Sequence, residues 1–379
     1  MQYRVLGRTG LKVSALGFGT MRFPMKDDDV EVEATVAMLH RAMDLGVNYF
    51  DSAVGYCNSQ SEMTLGKALK GRREGNVVST KYPPWGDRTL KADDCRKIIE
   101  QSLSRLDTDY IDIYKMHSLD WETAEKVLAP DGAVQGARKA KEEGLVRHLG
   151  FSFHDDPKRM IDIIKAAPDF EVVTCQYNLL DRANEKSIAY AHEHGLGVVI
   201  MGPVAGGRLG FPSEKLAGAL PGSTVSSPEL ALRFVLSNPN VTVALSGMSS
   251  LQMVEENVAT ASDEEPLTEE ERQRIIAMTE ENKRLAELYC TGCGYCMPCP
   301  NGVNIPENFR LMNLHRVWGL TEAARERYTW FGPKRENNLN AAACVECGQC
   351  EPKCPQKIPI IEQLKETHRA LGSETDASR

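Results

Sequence analysis

The sequence lacks the features that would place the chain in a membrane, on nucleic acid or outside the cell. No apolar run approaches the roughly 18 residues of a membrane span, and the opening MQYRVLGRTG has no apolar signal-peptide core. Acidic residues outnumber basic ones by 53 to 45, and the net charge of −8 disfavours a phosphate backbone as a partner. We therefore expect a cytoplasmic protein that binds neither membranes nor nucleic acid.

Cysteine is scarce over most of the chain. Cys57, Cys95 and Cys175 are the only ones before residue 290, whereas the rest of the 11 fall in two runs, at 290–299 and 344–354. In a reducing compartment such runs indicate metal ligands rather than disulfides. We interpret Cys95 and Cys175 as core residues. Cys57, beside Tyr56, is open to two interpretations, a packing residue or a redox thiol.

Residues 1–288 alternate short apolar strands with amphipathic helices. A predicted hairpin over 1–15 and a strand at 16–19 begin the series, and a long helix at 268–288 ends it. Eight strand–helix units predict a parallel sheet closed into a (β/α)8 TIM barrel. The alternative is an open doubly wound sheet, but the Gly-rich turn that usually follows its first strand is missing, because LGFGT lacks a third glycine.

One stretch rich in glycine, proline and serine, at 202–226, is too long for a plain connection in this alternation. Long loops at the rim of a barrel usually cover a ligand. We expect this loop to cover a ligand. The alternative is a loop that extends from the surface without packing against it.

Ionisable side chains stand at or just after the ends of three predicted strands. Asp51 and Tyr56 come from NYFDSAVGY, Lys81 from VVSTK and His117 from IDIYKMH. The C-terminal ends of parallel barrel strands gather at one rim, so we expect these four side chains to meet there. Together, an acid, a phenol, an amine and an imidazole can transfer protons. The alternative is an inert barrel with ordinary polar strand ends.

The two cysteine runs have the spacing of iron–sulfur ligands. The second run is Cys344-x2-Cys347-x2-Cys350-x3-Cys354-Pro, the bacterial ferredoxin pattern for a [4Fe–4S] cluster. The first run is Cys290-x2-Cys293-x2-Cys296-x2-Cys299-Pro, which is one residue short before its last cysteine. A zinc ribbon is the alternative, although it does not use three successive cysteine pairs followed by Cys-Pro.

Two such runs resemble a two-cluster ferredoxin module, in which the Cys-Pro cysteine binds the other cluster. The resemblance implies two [4Fe–4S] clusters, one held by Cys290, Cys293, Cys296 and Cys354 and the other by Cys344, Cys347, Cys350 and Cys299. Apolar residues at helical spacing between the runs predict a mostly helical module. We therefore expect a barrel over 1–288, a dicluster ferredoxin-like domain over 289–368 and a flexible tail over 369–379.

The opening RVLGRTGLKVSALGFGTM, with YFDSAVGY, STK and the histidine of IDIYKMH, resembles the aldo-keto reductase superfamily from residue 1 to about 285. The combination of such a barrel with a C-terminal cluster domain resembles a branch of that superfamily found in microbes. The resemblance implies reduction of a small carbonyl substrate, or oxidation of an alcohol. It implies that Tyr56 is the general acid/base, that Lys81 favours its phenolate, that Asp51 keeps Lys81 charged and that His117 orients the substrate carbonyl.

The same resemblance implies a nicotinamide nucleotide, NADP or NAD. Ser152 in GFSFH and Gln176 in CQYN match residues that bind the nicotinamide carboxamide. Met201 stands where an aromatic ring usually stacks on the nicotinamide, and a thioether can pack there. His154 either faces this pocket or is a solvated loop residue.

The adenosine end of the nucleotide would lie on LSGMSSLQMVEEN. The residues that match are Gly247, Ser249, Glu256 and Asn257. Met248 and Met253 stand where basic residues usually bind the 2′-phosphate, so the preference between NADP and NAD stays open. A plain strand-to-helix turn is the alternative.

Three functions remain compatible with this sequence. The first is a nicotinamide-dependent reductase whose clusters exchange electrons with a redox partner protein. The second is the same reductase with clusters of structural role only. The third is an electron-transfer or redox-sensing protein built on a barrel with weak or no nicotinamide-dependent activity. A hydride carries two electrons and a cluster passes one, so direct exchange needs a further centre, and the sequence shows no flavin motif.

Overall fold

A computed structural model describes residues 1–86, 88–220, 225–263, 266–287, 290, 292–332, 338–354 and 357–372. The chain forms two compact units. The first comprises Met1–Ala205 and Ala231–Leu267, and the second comprises Gly206–Leu230 and the residues from Thr268 onward. The predicted flexible tail lies, from residue 373, outside the described residues.

The strands are short and mostly buried. They are β1 Tyr3–Val5, β2 Lys12–Ser14, β3 Leu16–Gly19, β4 Met25–Lys26, β5 Asp29–Val30, β6 Tyr49–Asp51, β7 Val77–Tyr82, β8 Ile111–Leu119, β9 Val146–Phe153, β10 Val172–Gln176, β11 Gly197–Met201 and β12 Val243–Ser246.

Both units contain helices. They are α1 Val32–Asp44, α2 Ser61–Leu69, α3 Ala92–Leu106, α4 Trp121–Leu128, α5 Ala133–Glu142, α6 Pro157–Ala166, α7 Glu185–Glu193, α8 Glu214–Ala217, α9 Ser227–Leu236, α10 Leu251–Ser262, α11 Glu269–Glu287, α12 Ile305–Arg316, α13 Thr321–Tyr328 and α14 Ile360–Leu371. Among the described residues, no helix is long and apolar enough to cross a membrane.

A closed parallel barrel forms the first unit. Over the described residues its strand order is β3, β6, β7, β8, β9, β10, β11 and β12, with β12 pairing back to β3. The predicted (β/α)8 barrel is therefore confirmed, and the open sheet is excluded. Because every strand runs in the same direction, the C-terminal ends of the strands lie at one rim.

The predicted N-terminal hairpin is also confirmed and closes the opposite end of the barrel. Strands β1 and β2 pair antiparallel, and Leu6 and Val13 pack in one cluster with the first residues of β6, β7, β10 and β12. Gly7 has φ +49, and a Cβ there would lie 2.3 Å from the backbone nitrogen of Gly197. Only glycine fits this close approach.

Ser61 begins helix α2, and a serine at a helix start often caps it. Here the N-cap is Gln60, and no side chain caps the helix. The Ser61 hydroxyl is buried and lies 2.5 Å from the Thr20 hydroxyl and 2.9 Å from that of Ser52. Tertiary hydrogen bonds thus take the hydroxyl that could otherwise cap the helix.

The long loop after β11 belongs to the second unit, from Gly206 onward. The Ser213 hydroxyl donates to the Trp318 carbonyl at 2.7 Å, and Lys215 Nζ donates to the carbonyl of Arg316 at 2.7 Å. Over these residues the loop is packed against the end of α12, which excludes an unpacked surface excursion. Its predicted role as a ligand cover stays a prediction.

The second unit also contains α11, followed by α12, α13 and α14 with the two cysteine loops. Phe309, Met312 and Leu314 of α12 are buried, as their helical spacing predicts. The Tyr328 hydroxyl lies 3.0 Å from His368 Nδ1 on α14 and accepts from the backbone of Ala341. These contacts hold the start of the second cysteine loop on a helical frame.

Candidate active site and cluster-binding cavities

The structure brings the four predicted catalytic side chains together at the C-terminal rim of the barrel. Asp51 ends β6, Lys81 lies on β7 and His117 on β8, and both Asp51 and Lys81 are almost completely buried. Lys81 Nζ donates to Asp51 Oδ1 and, at 2.5 Å, to the Ser52 carbonyl. It also lies 4.8 Å from the centre of the Tyr56 ring, close enough for Tyr56 to contribute to its raised pKa.

A second lysine, which the sequence interpretation missed, binds the other oxygen of the same carboxylate. Lys115 is fully buried, and its Nζ donates to Asp51 Oδ2 and, at 2.7 Å, to the Thr174 hydroxyl. Lys115 and Lys81 are opposite each other in the β7–β8 register. The available signal was strand alternation, which places Lys115 on the same inward face as His117 two residues later.

The charges of this group follow from the ion pairs. Burial alone would raise the pKa of Asp51, but the ammonium groups of Lys115 and Lys81 lower it to about 2. Burial opposes the charge of Lys81, but Asp51 and then Tyr56 outweigh it and raise the Lys81 pKa. Burial, reinforced by Lys81, lowers the pKa of His117 to about 2. Asp51 and Lys81 are therefore charged at neutral pH, and His117 is a neutral imidazole.

Two aromatic contacts shape the open side of the site. The His117 ring stands edge-on to Tyr56, with 5.8 Å between ring centres. The Trp85 ring lies 4.7 Å from the centre of His117 and is half exposed. Trp85, a second residue that the sequence interpretation missed, gives the site an apolar wall.

The residues predicted at the nicotinamide end lie on adjacent strands. Ser152 of β9 is buried, and its hydroxyl accepts from the backbone of Ser118 at 2.7 Å. Gln176 ends β10 and lies opposite Met201, which ends β11. The Nε2 of Gln176 donates to Asp181 at 2.8 Å. Both polar side chains are therefore held in one orientation.

The residues predicted at the adenosine end surround the start of α10. Gly247 and Ser249 are exposed in the turn after β12, and Ser250 caps the helix by accepting from the backbone of Met253 at 3.2 Å. Glu256 accepts from Gln252, and Asn257 donates to the hydroxyl of Ser246 at 3.0 Å.

A basic side chain does reach this turn, from the other end of the sequence. A Cβ on Gly247 would lie 2.7 Å from Cγ of Arg22, so the stem of Arg22 runs along the Gly247 backbone. Arg22 is exposed, whereas Met248 is fully buried and points away from solvent. A basic residue that the sequence interpretation missed therefore lies beside this turn.

The remaining candidates in the barrel are mainly structural. His154 is exposed, in agreement with a solvated loop histidine. The Cys57 thiol donates to the Thr20 carbonyl at 3.3 Å, and burial raises its pKa, which disfavours a redox thiolate. Cys95 and Cys175 are fully buried core residues, as expected.

The cysteines of the second unit line two cavities, of about 350 and 400 Å³. The smaller is lined by Cys290, Cys293, Cys296 and Cys354. The larger is lined by Cys299, Cys344, Cys347 and Cys350, and Cys296 borders it as well. Each cavity thus combines three cysteines of one run with the Cys-Pro cysteine of the other.

These cavities fit a cubane cluster better than a single ion. Among the described residues, no group of three or more Cys, His, Asp or Glu side chains is close enough to hold one metal ion. A zinc site requires four ligands around one atom. In a cubane each thiolate binds a different iron at its own corner, so the sulfurs stay apart. The donor set therefore fits [4Fe–4S] clusters.

Comparison with known proteins assigns the barrel to a class of oxidoreductases. The chain belongs to the aldo/keto reductase family, whose family model matches residues 15–215. A second family model, the 4Fe-4S dicluster domain, matches residues 289–358. The resemblance stated from the sequence is thereby confirmed for both parts, and the chain is an aldo-keto reductase-like oxidoreductase.

Individual relatives match this chain over nearly their whole lengths. L-galactose dehydrogenase of Arabidopsis thaliana is 30% identical over 316 residues, covering 75% of this chain and 96% of that protein. NADH-specific methylglyoxal reductase of Escherichia coli is 26% identical over 303 residues, covering 67% and 91%. A solved aldo-keto reductase of Bacillus halodurans in its holo form is 31% identical with a TM-score of 0.63, covering 73% and 95%.

Proposed function

We propose that the barrel reduces a small carbonyl compound, or oxidises the corresponding alcohol, with Tyr56 as general acid/base. The observation that supports this most directly is the Lys81 ammonium, which is bound to Asp51 and lies beside Tyr56. When bound, the nicotinamide supplies or accepts the hydride at the substrate carbon. Tyr56 gives its proton to the carbonyl oxygen in reduction, and its phenolate takes the hydroxyl proton in oxidation.

Lys81 and His117 prepare this proton transfer. The Lys81 ammonium donates to Asp51 and to the Ser52 carbonyl, and it lies beside Tyr56. It is therefore fixed where negative charge develops on Tyr56. His117 is neutral and stands at the edge of Tyr56, from which it can donate a hydrogen bond to the substrate oxygen.

The nucleotide site is proposed along β9, β10, β11 and the start of α10. Ser152 and Gln176 would hold the carboxamide, and Met201 would pack on the nicotinamide ring. Gly247, Ser249 and the start of α10 would hold phosphate, with Glu256 and Asn257 at the adenine. NADH and NADPH are both candidates, and the name of one relative, an NADH-specific reductase, favours NADH.

The second unit is proposed to bind two [4Fe–4S] clusters, in the two cavities described above. Because Cys293 and Cys347 are exposed, one edge of each cavity is open to a redox partner protein. That exposure supports a second candidate function, electron transfer or redox sensing through the clusters, with weak or no nicotinamide-dependent activity in the barrel.

The decisive measurement is made on protein purified without oxygen. Iron and sulfide are quantified, and the oxidation of NADH and NADPH is followed with a panel of aldehydes and ketones, including methylglyoxal. The reverse reaction is followed with sugar alcohols and sugars. Turnover with one nucleotide supports the proposal, whereas a failure to bind either nucleotide leaves the electron-transfer candidate.

Arg22 is expected to contribute to nucleotide affinity. Because its stem lies on the Gly247 backbone, its guanidinium can reach a phosphate at the start of α10. The Arg22→Ala variant should raise KM for the preferred nucleotide roughly tenfold or more, with kcat little changed. Steady-state kinetics measure this effect. Arg72→Ala, an exposed arginine paired with Asp44, is the control, and an equal change there would contradict a local role.

The ionisation of His117 is not expected to appear in the pH profile of kcat/KM. Its pKa is lowered to about 2, far below the ordinary value of 6.5, so it is neutral throughout the working range. The profile of kcat/KM for reduction should therefore show no ionisation step near pH 6.5. A step there that disappears in His117→Gln would show that the imidazole is charged in acid and would contradict the assigned role.

A further inference from the structure

Lys115 has no role in the function proposed so far, yet it is the most completely enclosed charge in the barrel interior that the structure describes. It shows no exposed surface, and its ammonium is bound by Asp51 and Thr174. Burying an ion away from water costs folding free energy that an ion pair only partly offsets. An apolar residue would fill this position in β8 at less cost, so a functional reason is indicated.

The charge count of the group supplies that reason. One carboxylate, Asp51, faces two ammonium groups, one on each oxygen. While Tyr56 is protonated, the group carries one net positive charge. Once Tyr56 is a phenolate, the group is neutral. Without Lys115 the same two states would be neutral and negative, and a net negative charge is the costlier state to bury.

The other polar groups around Tyr56 do not alter this count. His117 on β8 is neutral, because burial lowers its pKa. Tyr49 on β6 stays protonated, because burial and Asp51 raise its pKa. The Cys57 thiol, next to Tyr56, is likewise kept protonated by burial. Partial burial of the His154 ring, on the loop after β9, lowers its pKa and so favours its neutral form. Lys81 and Asp51 are the charged neighbours already counted.

We propose that Lys115 is a positioning residue that favours the phenolate of Tyr56 by supplying the second counter-charge to Asp51. The residue thereby sets the pH at which the site passes from reducing carbonyls to oxidising alcohols. This role rests on the proposed function of Tyr56. Burial lowers the pKa of Lys115 to about 8 against the pull of Asp51, so the charge is present at neutral pH and is lost in mildly alkaline solution.

The test is a pH profile of both reaction directions for the wild type and Lys115→Met. Removing one nearby positive charge should move the midpoint of each profile upward by roughly one pH unit or more. The two proteins should differ below pH 8 and converge above it, where Lys115 is neutral in the wild type. Lys97→Met, an exposed lysine on α3, is the matched control and should keep the wild-type midpoints.

A charge series separates this role from a packing role. Asp51→Asn with Lys115→Met restores one net positive charge, so its midpoint should return toward the wild type. Asp51→Asn alone should give the midpoint of the double variant, because Lys115 without the pull of Asp51 loses its charge to burial and to Lys81. Any two of these proteins that fold and differ in the net charge of the group are enough to test the predicted order of the midpoints. The proposal would be overturned if the midpoints did not depend on net charge and the variants showed only a uniform loss of rate.

The proposed function can fail separately from this inference. If the wild type turns over no carbonyl or alcohol, the function of the barrel is wrong, but the charge series is still readable. The ultraviolet absorbance of tyrosinate, measured for each protein against its Tyr56→Phe counterpart, reports the ionisation of that tyrosine directly. The same order of midpoints then supports the role of Lys115, and a common midpoint rejects it.

Discussion

Replacing Tyr56 by phenylalanine is expected to lower the rate of carbonyl reduction by about 10²- to 10⁴-fold, the usual contribution of a positioned general acid. The hydroxyl is the only group that the substitution removes. Lys81 keeps both of its hydrogen-bond partners, Asp51 and the Ser52 carbonyl, so the ion pair and the fold should persist. The loss should appear in kcat, with KM little changed, because the proton is transferred in the transition state.

The measurement is the steady-state oxidation of the preferred nucleotide by the best carbonyl substrate. Iron content and nucleotide affinity should match those of the wild type. Tyr190→Phe, on helix α7, removes a tyrosine hydroxyl elsewhere in the barrel and should retain full activity. Activity of Tyr56→Phe within a few fold of the wild type would remove Tyr56 from its assigned role.

Replacing any one cluster ligand by alanine is expected to remove about half of the iron and sulfide and to leave the barrel folded. Each cavity is lined by three cysteines of one run and one of the other. A [4Fe–4S] cluster that loses one of its four thiolates is open to solvent at that corner and is readily lost. Cys175→Ala, which removes a buried core thiol of β10, should keep the full iron content.

The identity of the cluster that is lost tests the crossed ligand sets. Cys354→Ala and Cys293→Ala should lose the same cluster, and Cys299→Ala and Cys347→Ala should lose the other. The remaining cluster can be identified by electron paramagnetic resonance of the reduced protein. If Cys354→Ala instead matches Cys347→Ala, each run holds its own cluster, and the crossed assignment is wrong. If zinc replaces iron in the purified protein, both ligand sets must be abandoned.

The residues that the sequence located best are those at the ends of parallel strands. Asp51, Lys81 and His117 could be placed at one rim because strand direction alone decides where strand ends meet. Lys115 was missed because it lies within a strand, and its significance depends on register, which puts it opposite Lys81. Arg22 was missed because the turn it serves lies more than two hundred residues further along the chain.

Other differences arise where tertiary contacts compete for one group. The hydroxyl of Ser61 matches a helix cap locally, but Thr20 and Ser52 bind it instead. The long helix after residue 268 was expected to complete the barrel. The predicted helix exists as α11, yet it belongs to the second unit. Local periodicity predicts that a helix forms but not the surface on which it packs.

The loop from Gly206 to Leu230 has a practical consequence for anyone who wishes to separate the two halves of this protein. It leaves the barrel sequence between β11 and α9, and its Ser213 and Lys215 bind the end of α12. A stop codon after residue 288 would remove those partners while leaving the loop, with its Ser213 and Lys215, behind. In sequence, the second unit is therefore interleaved with the barrel unit rather than simply appended to it.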